Sequence, residues 1–328
     1  MQKFIDPKND LAFRKIFGSE ESSGILADFL NGVMGLSGGR RIEVATVLDP
    51  YQIPAKVLSD KLSIVDVKCK DREGKTYIVE MQLLSKDSFL SRVVYNVSKS
   101  YANQLKRGVP YSTLQDVIGV TIVNFELFPE FPDRYISCHE ITEKITKTSF
   151  MKQLCFYFVE LPKFKKTLEE LENSIDKWLY FLKYAEGMKE IPGELKEAFI
   201  EQAFEIAESA RMTDEEGKRY EVLETDYRDR LAELEWAKKE GLKEGLKKGE
   251  KRGEKRGEKK GKIEGIKEGE KKGEKKGRIE GIKEGEKKGE KKAAEKIAKK
   301  MLKKNIDVDT ISEMTGLSVE VIKKLSLS

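Results

Sequence analysis

Two carboxylates and an amide fall on what the sequence pattern reads as a β-hairpin, with Asp66 on the first arm and Glu80 and Gln82 on the second. Centring the turn on Glu73 sets Lys70 against Thr76, Lys68 against Ile78 and Asp66 against Glu80. Alternate side chains of a strand share a face, so Glu80 and Gln82 point the same way, with Asp66 and Lys68 beside them. Val65, Val67, Cys69, Val79 and Met81 fall on the other, apolar face. Like charges directly across a ladder repel. A divalent cation relieves that repulsion, and Mg²⁺ prefers one or two carboxylates completed by waters and substrate phosphate. A solvated hairpin face, with Lys68 or Lys70 neutralising the acids, explains the same spacing, and spacing alone favours that plainer reading.

The elements that would hold this hairpin are legible from hydrophobic period. Residues 9–34 read as two short helices, with stripes Leu11, Ala12, Ile16, Phe17 and Ile25, Leu26, Phe29, Leu30, Val33. Arg41–Leu48, Leu62–Lys70 and Lys75–Leu83 read as strands, and Asp71–Gly74 as the turn between the last two. A helix is expected from about Lys86 to Lys106, stopped by Gly108 and Pro110. Strands are expected again at Val117–Asn124, Tyr135–Ile141 and Leu154–Leu161; VIGVTIV is apolar throughout, as a strand buried on both faces would be. This order predicts a mixed α/β (α+β) core with a mixed central sheet over residues 1–162. A helical extension follows over 163–240, carrying Trp178 on an apolar face and Thr213 as an N-cap with Glu216 three residues on.

On the helix after the hairpin, Arg92, Asn96, Lys99 and Asn103 form a polar stripe, with Tyr95 and Gln104 nearby. It reads equally as a surface for a phosphate backbone and as an ordinary solvated helix face. Asp10 would be a further acid from the first helix, although a charge at a helix start explains it better.

The 328 residues are 38% apolar and 37% charged. The excess charge is concentrated in residues 241–292, where 21 Lys and Arg face 12 Glu, a net of +9 against +5 for the whole chain. Glycine recurs there at every fourth position from Gly241 to Gly289, and GKIEGIKEGEKKGEKK is followed at once by GRIEGIKEGEKKGEKK. A four-residue period drifts about 40° per step around a helix of 3.6 residues per turn, and each glycine costs about 1 kcal/mol relative to alanine. The segment therefore reads either as a weak helix held by self-association or as an unfolded tract. Residues 293–328 return to normal patterning as a small helix-turn-helix-like unit around Thr315-Gly316-Leu317. With only Lys323 and Lys324 in its last helix, a cap on the repeat is favoured over a groove-reading module.

Cys69, Cys138 and Cys155 have no short paired spacing and read as reduced core thiols; the single His139 rules out a histidine-rich metal centre and is given no catalytic role. The opening MQKFIDPKND lacks the apolar stretch of a signal peptide, and no run is long enough for a membrane span. A soluble cytoplasmic protein is expected.

Taken together, NDLAFRKIFG, SIVDVKCKDREGKTYIVEMQ, SRVVYNVSKSYANQLKRGVPYSTLQDVIGVTIVNF, KWLYFLKYAEG, MTDEEGKRYE and the EGLKEG-type tail resemble the recombination-promoting nuclease / putative transposase family of the PD-(D/E)XK superfamily. The resemblance runs over residues 1 to about 300 and implies a restriction-endonuclease-like fold. It implies Mg²⁺- or Mn²⁺-dependent hydrolysis of DNA, with Asp66 and Glu80 as metal ligands; the candidate DNA contacts Arg92, Asn96, Lys99 and Gln104 come from the helix stripe alone. The motif's lysine, which helps the attacking water, maps onto Gln82, and its proline onto Val65. An amide orients water but cannot serve as a base. Either Lys68 substitutes, or the chain is an impaired nuclease that binds DNA or assembles.

Overall fold

The computed structural model describes residues 3–50, 65–85, 88–260, 266–303 and 307–326. The expected strand start at 62–64 and the helix start at Lys86 lie outside them. The chain divides into two compact units, Met1–Leu223 and Glu224–Ser328.

The first unit is built on a six-stranded mixed sheet. Its strands are β1 (Thr46–Leu48), β2 (Val67–Lys70), β3 (Thr76–Gln82), β4 (Val117–Val123), β5 (Ile136–Ile141) and β6 (Met151–Glu160), in the order β1-β2-β3-β4-β6-β5. β3, β4 and β6 run parallel, and the flanking pairs are antiparallel. All of β4 is buried, in line with its unbroken apolar run.

One sheet face carries α1 (Asp10–Phe17), α2 (Ser23–Met34), α4 (Ser174–Tyr184) and α5 (Ala198–Ile206). Phe13, Phe17, Phe29, Trp178, Phe181 and Phe204 form a single core there with Val67, Cys69 and Val79. The helices beyond residue 162 thus complete the core of the sheet. α3 (Phe89–Ala102) covers the other face, where Val97 packs with Ile78 and Val117. Gly119 lets it lie close: a Cβ there would meet Val97 Cγ2 at 2.8 Å.

Two local expectations change. Only Thr46–Leu48 of the Arg41–Leu48 stretch joins the sheet, because the Asn31 side chain takes both the N–H and the C=O of Ile42, each at 2.8 Å. Val65 is buried, but with Ile78 and Val97 on the α3 side. The chain bends at Asp66, so strict alternation begins only at Val67.

Within the second unit, α6 (Asp214–Lys260, which begins in the first unit) and α7 (Ile266–Lys303) pair through their glycines. Thr213 caps α6 reciprocally with Glu216, at 2.9 and 3.2 Å. A Cβ on Gly241, Gly245 or Gly249 would collide with the carbonyl oxygen of Gly285, Gly281 or Gly277 respectively. The described parts of the repeat are therefore helical and packed against each other; residues 261–265 lie outside the description. Of the two sequence readings the helical one holds for the described residues, with the association made within the chain: the drift of the glycine stripe on one helix is followed by an equal drift on the other. α8 (Val308–Thr315) and α9 (Val319–Ser326) follow, joined through Gly316 at φ 71. Ile311, Val308 and Met314 close a small core with Ile297, Met301 and Leu234.

Candidate active site

The hairpin register is the one centred on Glu73: Lys70 faces Thr76 and Lys68 faces Ile78. Asp66 stands at the bend just before β2, and its Oδ2 accepts the Met81 backbone N–H at 2.8 Å. Its Oδ1 accepts from Arg14 Nη2 at 3.1 Å, and the same Nη2 reaches Asp10 Oδ1 at 3.2 Å. Asn9 sets this geometry by capping α1, since its side chain accepts from the Leu11 N–H. Arg14 was missed in the sequence reading. The signal was there locally, as an Asp10–Arg14 pair one helical turn apart, but its reach to Asp66 crosses 52 residues.

Glu80 is only 8% exposed, and its Oε1 accepts from Asn96 Nδ2 at 2.7 Å. Asn96 is itself buried, so α3 presents it to the carboxylate and not to solvent. Burial pushes Asp66 up to a pKa of about 7, helped by the negative charges of Asp10 and Glu80 and opposed by the Met81 N–H and Arg14. Two further acids, the exposed Asp10 and the buried Glu80, thus act on Asp66, and one guanidinium links Asp10 to it.

Of the remaining candidates, Gln82 and Arg92 meet, and the others have separate partners. Gln82 Oε1 accepts from Arg92 Nη2. Lys68 is half-buried, which lowers its pKa; Asp49 is the acid that opposes this, while Lys70 adds to it. Lys99 lies over the Tyr95 ring at 5.5 Å. Gln104 is bonded both ways to the Gln115 backbone at 2.9 Å, which ties the chain after α3 to the start of β4. His139 packs tilted on Phe128 and edge-on to Phe158, and burial lowers its pKa.

Residues 7–237 match the family model described as PD-(D/E)XK nuclease family transposase. The chain belongs to this family. Its first unit is the nuclease-like α/β core, and nucleases of this type generally use divalent metal ions. Residues 291–327 match the C-terminal HTH domain of the Rpn/YhgA-like nuclease family. This corrects the preference for a mere cap: the fold of the module is set by its apolar seam and glycine turn, and the small number of basic residues carries little information about it. No curated protein and no solved structure matches the chain. No helix among the described residues is long and apolar enough to cross a membrane.

The acids of this family member suit a hard divalent ion. Oxygen donors at a desolvated, mutually repelling cluster match what Mg²⁺ and Mn²⁺ select. Asp66, half-buried and raised by its acidic neighbours, and Glu80, buried against Asn96, are the candidate ligands.

Proposed function

We propose that this family member is a Mg²⁺- or Mn²⁺-dependent DNA endonuclease serving recombination or transposition, with Asp66 and Glu80 as its metal ligands. The observation that carries the reading is Asp66, a carboxylate raised to about 7 by burial and by neighbouring acids at the motif position of a nuclease family. A cation bound there would acidify a water and stabilise the charge that develops on the scissile phosphate. Asn96 fixes the Glu80 rotamer through its 2.7 Å bond. Gln82 holds Arg92 in place, and the Arg92 Nε is buried with no hydrogen-bond partner among the described residues. A guanidinium held this way keeps its charge beside the site and can offer its remaining nitrogen to a phosphate oxygen. It would supply the positive charge that the absent motif lysine supplies elsewhere. Lys99 on the same helix, the basic repeat and the C-terminal HTH domain would add sequence-independent phosphate contacts.

The second reading follows from Gln82, whose amide cannot take a proton. On that reading the chain grips DNA without cutting it. The deciding experiment is a Mg²⁺-dependent nicking assay of the purified chain beside Asp66→Asn and Glu80→Gln. Cleavage that both substitutions abolish supports the endonuclease. Cleavage that survives both removes this site. Tight DNA binding with no nicking by the unaltered chain favours the second reading.

A further inference from the structure

Two of the cysteines are not the isolated core thiols that their spacing suggests. Cys69 is buried on β2, but Cys138 is exposed on β5 and Cys155 is half-buried on β6. Their Sγ atoms lie 3.3 Å apart. Glu140 stands directly opposite Cys155 in the ladder, and the two sulfurs and a Glu140 carboxylate oxygen all lie within 4.8 Å of one another. A register irregularity follows Glu140 at once. Bulges of this kind re-aim side chains and concentrate near functional sites.

We infer that Cys138, Cys155 and Glu140 form a binding site for a thiophilic divalent cation of the zinc class, separate from the carboxylate cluster at Asp66. Two features of the geometry carry this. First, Cys138 faces Tyr157 and Cys155 faces Glu140, so the cysteines are diagonal neighbours. Diagonal residues have Cα atoms about 7–8 Å apart, beyond the usual span of a disulfide, about 4.4–6.8 Å. A shared metal tolerates that separation. Second, zinc–thiolate bonds of about 2.3 Å at a tetrahedral angle hold two sulfurs about 3.8 Å apart. The existing pair would open by only a few tenths of an ångström to accept the ion. Two thiolates and one carboxylate make a three-ligand set with one open position for water or a partner's side chain. Sulfur donors select against Mg²⁺, so the two sites would not compete for one ion. Cys138 and Cys155 lie 17 residues apart, so only the pairing of β5 with β6 reveals the site.

The test uses the reduced, untagged full chain titrated with Co²⁺ as a spectroscopic probe. The expected result is a thiolate-to-cobalt charge-transfer band that saturates at one equivalent and is displaced by Zn²⁺. The band should vanish in Cys138→Ser and in Cys155→Ser, and persist in Cys69→Ser and Asp66→Asn. Glu140→Gln should keep the band but weaken Co²⁺ affinity by about tenfold or more. Far-ultraviolet circular dichroism checks that each variant is folded. Absence of the band in the unaltered chain, or a band indifferent to both cysteine substitutions, overturns the proposal. So does oxidation of the pair to an intramolecular disulfide in a chain that takes up no metal.

Discussion

Arg14 bridges Asp10 and Asp66 through a single nitrogen, Nη2, at 3.2 and 3.1 Å. A cation from the protein itself thus offsets part of the repulsion that a metal would relieve in full. Arg14→Ala is expected to lower metal-free stability at neutral pH by about 1 kcal/mol, the scale of a partly exposed pair. It should enlarge the thermal shift produced by Mg²⁺, because more repulsion is left to relieve. Thermal unfolding with and without Mg²⁺ checks both; an unchanged Mg²⁺ shift argues against the bridge as the stand-in charge.

The raised pKa of Asp66 sets a pH dependence. Its carboxyl titrates at about 7 in the folded chain against the ordinary 3.8. Between those values the folded state holds a proton that the unfolded chain has released, so metal-free stability falls as pH rises through that window and levels off above about 7. Metal binding needs the ionised carboxylate. Mg²⁺ affinity should therefore rise about tenfold per pH unit below 7 and flatten above it. Calorimetric titrations from about pH 5 to about pH 9 would show this bend; a flat profile would remove Asp66 from the ligand set.

Arg92→Ala tests the charge that Gln82 holds. Loss of a preorganised cation facing a phosphate costs about a hundredfold in kcat/KM. The folded state should be little changed, since Arg92 contributes one hydrogen bond to Gln82 and a ring contact to Phe89. Steady-state kinetics and melting curves separate the two effects. A loss of activity matched by a fall in the melting midpoint would make Arg92 structural.

Glycine substitutions in α6 should have opposite signs by position. At Gly217 nothing lies within 4 Å of an added Cβ, so Gly217→Ala should stabilise by about 0.5–1 kcal/mol. At Gly245 the added methyl meets the Gly281 carbonyl, so Gly245→Ala should force α6 and α7 apart and destabilise the second unit. Circular dichroism melts of the two full-length variants decide it; stabilisation by both would mean that the helices do not pack as described.

The hairpin was readable because its information is local. One turn and a two-residue alternation fix the register from Val67 to Val79. The bend at Asp66 broke the alternation, and with it the placement of Val65. Arg14, Asn96 and the cysteine pair were not readable, since each gains its meaning from a residue brought near by sheet or helix packing. Asn96 shows the ambiguity well: in a helical stripe it reads as a solvent-facing polar residue, yet packing turns it inward onto Glu80. The glycine repeat was only half readable: a helix held by association was one of two readings, but the partner was hidden, because a seam between two helices obeys a periodicity that one helix cannot display.

That seam also determines which copying errors the gene tolerates. Gly241 meets Gly285, Gly245 meets Gly281 and Gly249 meets Gly277. Adding or losing a multiple of four residues within one arm shifts each glycine beyond the change onto another glycine, and the seam closes again. The near-identical sixteen-residue blocks at 261–276 and 277–292 are the kind of tract in which replication slips, and sixteen is such a multiple. A change of sixteen residues within one arm therefore leaves the close fit of backbone on backbone in place.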